Sequence, residues 1–111
     1  MSIPVELDDL AALIASEFGS AGYAITIAPD GRPRIAHVAV IGEGRNLRFR
    51  LGPGGTKNAV ERPELTVLFA APAEGEMSLI VDGLATVDDG DEPEVALEAT
   101  WGVRHRAVPR G

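Results

Sequence analysis

The 111-residue chain contains no cysteine, which excludes disulfide bonds, thiol nucleophiles and cysteine-ligated metal sites. Aromatic residues make up 5% of the sequence, and no apolar run approaches the roughly 18 residues that a membrane-spanning helix needs. Basic residues are also scarce, since 10 stand against 17 acidic ones for a formal net charge of −7. A general nucleic-acid-binding protein presents a basic surface to phosphates, so this charge argues against that class. We therefore expect neither a membrane nor a nucleic acid as a partner.

Catalytic and targeting motifs of several kinds are missing as well. None of the four serines lies in a Gly-x-Ser-x-Gly nucleophile motif, and two histidines without cysteines supply too few ligands for a closed metal site. The first 30 residues lack the basic start and the continuous apolar core of a signal peptide. We expect a cytoplasmic protein with no bound metal and no hydrolytic triad.

Glycine and proline, by contrast, are plentiful. The chain has 13 glycines and 8 prolines, which together with the few aromatic residues favours a small β-barrel or sandwich with many turns. A chain of this length buries roughly 65% of its unfolded surface, enough for one modest core. We therefore expect residues 1–111 to form a single domain.

The spacing of apolar residues predicts one helix followed by strands. Apolar residues at i, i+3 and i+4 between Leu7 and Phe18 predict a helix from Glu6 to Phe18, which Gly19 ends. Period-two alternation then predicts a mainly β fold, a six-stranded antiparallel barrel. Its strands are expected at 23–28, 35–41, 47–51, 65–70, 77–82 and 84–87, and the last two could be one long strand bent at Gly83. A short helix capped by Thr56 is predicted after the third strand.

An acidic segment precedes the C-terminal part of the chain. It holds six acids and no base, namely Asp88, Asp89, Asp91, Glu92, Glu94 and Glu98. This pattern predicts a solvated loop and the first turn of a C-terminal helix with Pro93 near its start. Leu97 and Trp101, four residues apart, would pack that helix against the barrel. A divalent-cation loop is the alternative, but the glycine turn and closing glutamate that it requires are absent.

The segment from Arg48 to Asn58 has the chemistry of an anion cradle. Arg48 and Arg50 point to one face of a strand, and the strand runs into Gly52-Pro53-Gly54-Gly55-Thr56-Lys57-Asn58. Glycines let backbone N–H groups approach a ligand closely, and the neighbouring side chains add hydroxyl, ammonium and guanidinium donors. Between Asp30 and Arg62, seven basic residues against three acids leave a local charge of +4. The ordinary alternative is a solvated strand face beside a surface lysine.

Four segments in order resemble the pyridoxamine 5′-phosphate oxidase-like family of FMN-binding split β-barrels. They are Ala24–Pro33, Arg45–Arg50, the Lys57-Asn58 element with Pro63 to Val67, and Val81–Ala85, and the resemblance covers roughly residues 7 to 100. It implies a homodimeric flavin-dependent oxidoreductase, with FMN or a deazaflavin in a groove at the dimer interface. A flavin performs the electron transfer itself, which is compatible with a sequence that shows few acid–base side chains.

Carried over by position, the resemblance implies a set of cofactor contacts. Arg50, Thr56, Lys57 and Asn58 would hold the phosphate, and His37, Val38, Ala39 and Val40 would run beneath the flavin ring. The segment Arg104–Arg110 does not reproduce the substrate-binding arginine motif of the B6 oxidase, so we do not expect that enzyme. No catalytic residue is assigned.

Two other functions remain open from the sequence. A protein of the same fold could carry a flavin, or haem through His37 or His105, without turnover. A barrel without cofactor could serve as a dimeric interaction module, and Gly54-Gly55 stands where many relatives carry another basic residue. His37 itself lies on a predicted apolar face, where a hydrogen-bonded core histidine is the ordinary expectation.

Overall fold

The computed structural model describes residues 2–88 and 90–110, which form a curled antiparallel sheet with two short helical regions. The strands of the described residues are β1 Ser2–Pro4, β2 Ala21–Ile27, β3 Pro33–Ala39, β4 Ile41–Glu43, β5 Asn46–Phe49, β6 Glu64–Phe69, β7 Ser78–Val87 and β8 Val95–His105. Helix α1 spans Leu10–Leu13, between a 3-10 turn at Leu7–Asp9 and a π-helical turn at Ile14–Phe18, and α2 spans Pro53–Glu61. None of the described helices is long and apolar enough to cross a membrane.

The strands follow the order β3-β2-β6-β7-β8-β5-β4, and β1 pairs with the C-terminal end of β8. Alternating residues of β5, β6 and β7 point inward and are almost fully buried, as period-two alternation requires. The largest of these buried side chains are Leu47, Phe49, Leu65, Val67, Phe69, Leu79 and Val81. The sheet curls around this core but does not close, because its end strands β3 and β4 do not pair in the described part of the chain.

The prediction of a mainly β antiparallel fold is confirmed, but the predicted number of six strands is wrong. The described residues form eight strands, because β1, β4 and β8 were not predicted and two predicted strands form the single strand β7. The register of β7 against β8 shifts between Asp82 and Gly83, so the predicted irregularity lies at Gly83. A Cβ at Gly83 would overlap the carbonyl oxygen of Glu98, so the close approach of β8 requires glycine there.

The N-terminal helical region runs from Leu7 to Phe18, one residue shorter than predicted and less regular. The Ala11 N–H donates to the carbonyl of Gly44 at 3.0 Å, which fixes this region against the β4–β5 turn. Its last residue, Phe18, packs against Phe69 with ring centroids 6.3 Å apart. Gly19 then ends the segment with a φ of 79°, as the sequence predicts for a glycine stop.

The predicted C-terminal helix is wrong, since residues 95–105 form strand β8. Val95, Leu97 and Ala99 alternate inward and are fully buried against the barrel, so the strand period decides the structure. The acidic segment before it is a loop, as predicted, in which the Asp88 carboxylate accepts hydrogen bonds from the Gly90 and Glu94 N–H groups. Asp89 lies outside the described residues.

The face of the β2–β3 hairpin that carries His37 points outward, against the expectation of a core histidine. Ala24 and Thr26 point into the barrel, whereas Tyr23 and Ile35 point outward and are 37% and 66% exposed. His37 is not a core residue, because it lies on this outer face with its ring stacked on Tyr23 at a centroid distance of 4.8 Å. Both faces of the hairpin are apolar in sequence, so hydrophobicity alone did not identify the inner one.

Candidate functional site

Strand β3 ends the sheet, and within residues 2–88 and 90–110 no strand pairs with its other edge. The Val40 N–H donates to the Ser20 carbonyl at 2.7 Å, which fixes the alternation of hydrogen bonds between the chain segments of β2 and β3. Antiparallel pairing then directs the N–H and C=O groups of Ile35, His37 and Ala39 away from β2. This open edge therefore presents a row of backbone donors and acceptors.

Two cavities lie along the open edge, on the side that faces β5 and the loop after it. The first, the glycine-loop cavity, has a volume of about 410 Å³. It is lined by Ala24, Thr26, Ala28, Arg34, Ile35, Ala36, Leu51, Gly52, Gly54, Gly55 and Asn58. Among the described residues that line it there is no carboxylate, and the charged side chain is Arg34. In a chain with a net charge of −7, this composition favours an anionic ligand.

Helix α2 begins at this cavity. Gly52 is its N-cap residue, Pro53 occupies the first helical position, and the Thr56 N–H makes the first helical bond to the Gly52 carbonyl at 2.9 Å. Helix geometry leaves the N–H groups of Gly54 and Gly55 without a partner in the helix, and both residues line the cavity. A Cβ at Gly54 would meet no atom within 4 Å, so there is room for a ligand beside that backbone.

A buried polar network holds α2 against the β2–β3 hairpin. The Asn58 amide is 7% exposed, donates to the Thr26 hydroxyl at 3.1 Å and accepts from the Arg62 guanidinium at 3.2 Å. The same guanidinium donates to the Ile27 carbonyl at 2.6 Å. Because each buried polar group has a partner, the network positions the start of α2 at the open edge.

The second cavity, which we call the arginine cavity, has a volume of about 400 Å³. It is lined by His37, Val38, Ala39, Ile41, Arg48, Phe49, Arg50 and Glu94. Arg48 lies 3.5 Å from the Glu94 carboxylate, and Arg50 lies 3.2 Å from the Glu92 carboxylate. Both arginine side chains are more than half exposed, so these ion pairs contribute little to stability and can be exchanged for a ligand.

Five of the eight residues that the sequence singled out for the cofactor line these two cavities. His37, Val38, Ala39 and Arg50 line the arginine cavity, and Asn58 lines the glycine-loop cavity.

Thr56, Lys57 and Val40 line neither cavity. Val40 is buried, and the exposed Lys57 ammonium lies 3.9 Å from Glu61. Thr56 does not cap α2 as predicted, because the helix starts three residues earlier and the Thr56 hydroxyl donates to the Leu51 carbonyl.

Sequence analysis missed Arg34 and Thr26 as lining residues. Arg34 and Thr26 are paired in the hairpin register, on the strand face opposite to Ile35 and Ile25. The small residues Ala24 and Ala28 on the same face as Thr26 were the available signal, since they leave space where large side chains would fill the barrel.

Two further observations limit the choice of site. A hollow of about 460 Å³ lies on the outer face of β6–β8, but its lining includes Glu64 and Asp82, which disfavour an anion. Within the described ranges, no group of three or more histidine, aspartate or glutamate residues is arranged to hold a metal ion. The groove along β3 is therefore the candidate site.

An antiparallel sheet that curls around one core but stays open at β3, with a short helix beside the open edge, is a split β-barrel. No family model and no curated protein matches the chain. Among solved structures, a candidate pyridoxamine 5′-phosphate oxidase from Listeria innocua shares 13% identity and has a TM-score of 0.73, covering 91% of this chain and 98% of that one.

Two further structures share the fold. An F420 reductase is 16% identical with a TM-score of 0.68, covering 90% of this chain and 98% of that one. The FAD binding protein from Mycobacterium smegmatis is 19% identical with a TM-score of 0.66, covering 96% of this chain and 100% of that one. The chain therefore has the split-barrel fold of the pyridoxamine 5′-phosphate oxidase-like proteins, which confirms the resemblance found in the sequence.

Proposed function

We propose that this chain is a flavin-dependent oxidoreductase that binds an FMN-like cofactor in the groove along β3. The observation that carries the proposal is the glycine-loop cavity, where free backbone N–H groups of α2 and the Arg34 side chain converge without a carboxylate among the described lining residues. The two cavities, of about 410 and 400 Å³, are each of the size of small-molecule sites.

The residues present fit the two ends of such a cofactor. At the phosphate end, the proposed contacts are the N–H groups of Gly54 and Gly55 and the Arg34 side chain, together with the contacts inferred from the sequence. Those are Arg50, Thr56, Lys57 and Asn58. Arg50 and Lys57 are held only by exposed ion pairs, so both can turn to a phosphate. Asn58 would act mainly by fixing the start of α2, since its amide is already hydrogen-bonded at both ends.

At the ring end, backbone groups would do the binding. The N–H and C=O groups of Ile35, His37 and Ala39 match the alternating donors and acceptors of a flavin pyrimidine ring. Val38, whose side chain is 6% exposed, would form part of the apolar surface below the ring. A bound flavin would supply electron and hydride transfer, and the protein residues would orient it and limit access of water.

FMN is the preferred cofactor, and a deazaflavin is the alternative. The likeness to an F420 reductase favours that alternative, because F420 is a deazaflavin. Both cofactors carry a phosphate and a tricyclic ring, so the groove accommodates the same chemistry.

We further propose that two copies of the chain associate through the outer face of the β2–β3 hairpin. This face exposes large apolar residues, namely Ile35 at 66% and Tyr23 at 37%. Contiguous exposed apolar surface marks interaction sites, and Ile35 belongs both to this face and to the glycine-loop cavity. A second copy would therefore cover the open side of the groove. Ile35→Glu should lower the mass measured by light scattering, whereas Val60→Glu on α2, also exposed, should leave it unchanged.

The proposed function is tested by incubating the protein with FMN or with a deazaflavin, desalting it and recording the visible absorption spectrum. We expect retained FMN bands in a protein purified at neutral pH. The double variant Arg50→Ala/Lys57→Ala should bind FMN far more weakly, since each charge-assisted contact contributes about 1.5–3 kcal/mol. Arg45→Ala is the matched control, because Arg45 pairs with Asp8 away from the groove.

The other outcomes separate the remaining functions. Retained deazaflavin bands alone would redirect the assignment to deazaflavin-dependent reduction. A Soret band after incubation with haem, with no flavin retained, would favour a haem carrier. A colourless protein would contradict the proposal and favour the cofactor-free module. The presence of Gly54-Gly55 where many relatives carry another basic residue would then explain why the cofactor does not bind.

A further inference from the structure

The arginine cavity contains groups that flavin binding leaves unused. Its lining combines Arg48 and His37 with Arg50, Glu94 and four apolar residues. Neither the Arg48 nor the His37 side chain is among the proposed phosphate contacts, of which only Arg50 lines this cavity. Arg48 is 53% exposed, so its guanidinium is accessible from the groove.

A carboxylate of the chain itself already pairs with Arg48 in this cavity. One oxygen of Glu94 lies 3.5 Å from one nitrogen of Arg48, and the Glu94 side chain is only 26% exposed. Two hydrogen bonds of its backbone hold Glu94 in place. Its N–H donates to the Asp88 carboxylate at 3.3 Å, and its carbonyl accepts from the Asp88 N–H at 3.2 Å. The loop thus presents a carboxylate to the cavity.

The contact between Arg48 and Glu94 is weaker than a guanidinium can make. An arginine prefers two parallel hydrogen bonds to one carboxylate, and here a single long contact is formed. Among the described residues, the Arg48 side chain makes no other hydrogen bond. The carboxylate of a bound ligand could therefore form the two parallel hydrogen bonds with Arg48 that Glu94 does not form.

The rest of the lining indicates what the carboxylate is attached to. Apart from Val38, the apolar lining residues are Ala39, Ile41 and Phe49, and Ile41 is 59% exposed. A small acid with a flat apolar body would cover this apolar lining while its carboxylate reaches Arg48.

We propose that the arginine cavity binds the carboxylate of a small aromatic or aliphatic acid, with Arg48 as the binding residue and Glu94 as the internal group that the acid displaces. This inference rests on the proposed function in one respect, because it makes the acid the substrate that lies beside the flavin ring. The binding itself does not depend on a flavin.

The test uses the two histidines of the chain as NMR reporters. Benzoate, an aromatic carboxylate, should shift the ring signals of His37 in a saturable way and leave those of His105 unchanged. Benzamide, which has the same shape without the charge, should shift neither. Absence of a His37 shift with benzoate, or equal shifts with benzamide, would overturn the proposal.

Variants assign the effect to the two side chains. Arg48→Met should weaken benzoate binding by about tenfold or more. Glu94→Gln should strengthen it by about twofold to fivefold, because it removes a competing surface ion pair. Arg45→Met, which removes an arginine away from the cavity, should change nothing. A variant Arg48→Met that folds, by its backbone NMR spectrum, and binds benzoate like the parent protein would overturn the assignment.

The same samples keep this inference separate from the flavin proposal. Arg48→Met should retain FMN, since Arg48 is outside the phosphate site. A protein that binds benzoate at His37 but never retains a flavin would remove the proposed function and leave the acid site standing. A protein that retains FMN but shows no response to benzoate would do the opposite.

Discussion

The two halves of the barrel interior differ in the size of their side chains. Where β6 meets β7, the inner face carries Leu65, Val67, Phe69, Leu79 and Val81, each 2% exposed or less. On β2 and directly after it, the same face carries Ala24, Thr26 and Ala28, which line the glycine-loop cavity instead of filling it. The comparison teaches that one half supplies the core and the other supplies the space for a ligand, so stability and binding should respond to different substitutions.

The largest effect on stability is expected in the filled half. Phe69→Ala removes a fully buried ring that packs on Phe18 and should lower the free energy of unfolding by about 3–5 kcal/mol. Chemical denaturation would measure this loss. Tyr23→Ala on the outer face is the control and should cost less than about 1.5 kcal/mol, the upper end for an aromatic pair. Equal losses would show that the outer face contributes as much as the interior.

Alanine substitution of two glycines tests the same difference between the filled half and the open half. A Cβ at Gly83 would overlap the backbone of Glu98 and lie 2.9 Å from Leu97, so Gly83→Ala should destabilise the protein by about 1–3 kcal/mol. Gly54→Ala, at the cavity, has open space and should change stability by less than about 1 kcal/mol. Thermal unfolding of the two variants side by side checks this. A Gly54→Ala protein as unstable as Gly83→Ala would contradict the open space at α2.

The polar link between the halves should have an intermediate effect. Asn58→Leu leaves the buried Thr26 hydroxyl without its partner and should cost about 1–3 kcal/mol. Thr26→Val combined with Asn58→Leu should be less destabilising than the sum of the single changes, because both polar groups are then removed. A double-mutant cycle in urea measures the coupling, and strict additivity would mean that the two groups do not stabilise each other.

The smallest effect on stability, with the largest on binding, is expected in the open half. Ala36→Phe places a ring in the glycine-loop cavity and should change the free energy of unfolding by less than about 0.5 kcal/mol. It should also abolish flavin retention after desalting. Ala12→Phe, at an exposed helical position, should keep both stability and retention. A variant Ala36→Phe that still retains FMN would place the cofactor elsewhere.

Strands with one clearly apolar face could be predicted from the sequence, and those with two apolar faces could not. Leu47 and Phe49 alternate with polar neighbours, so the inner face of β5 was evident. In β8, the extra residue at Thr100 interrupts the alternation, and the spacing of Leu97 and Trp101 then matches a helix. The inner face of the β2–β3 hairpin could not be predicted because both faces are apolar, with isoleucines pointing outward and alanines pointing inward.

Part of the candidate site could likewise be predicted from one local segment, and part depends on contacts between residues far apart in the sequence. Gly52-Pro53-Gly54-Gly55 predicted an anion site because the turn and the helix start lie within one segment. The place of Arg34 in that cavity depends on the pairing of β2 with β3 and on the network from Asn58 to Thr26. Contacts between residues 32 positions apart, such as this one, leave no local pattern in the sequence.

The open edge of β3 has a consequence for the handling of this protein. A strand edge with unpaired N–H and C=O groups is a template for another strand, and the neighbouring Ile35 side chain is 66% exposed. A ligand in the groove and a second copy on the outer face would shield this edge. The empty monomer is therefore the species most prone to aggregate, and adding the cofactor before concentrating the protein should preserve it in solution.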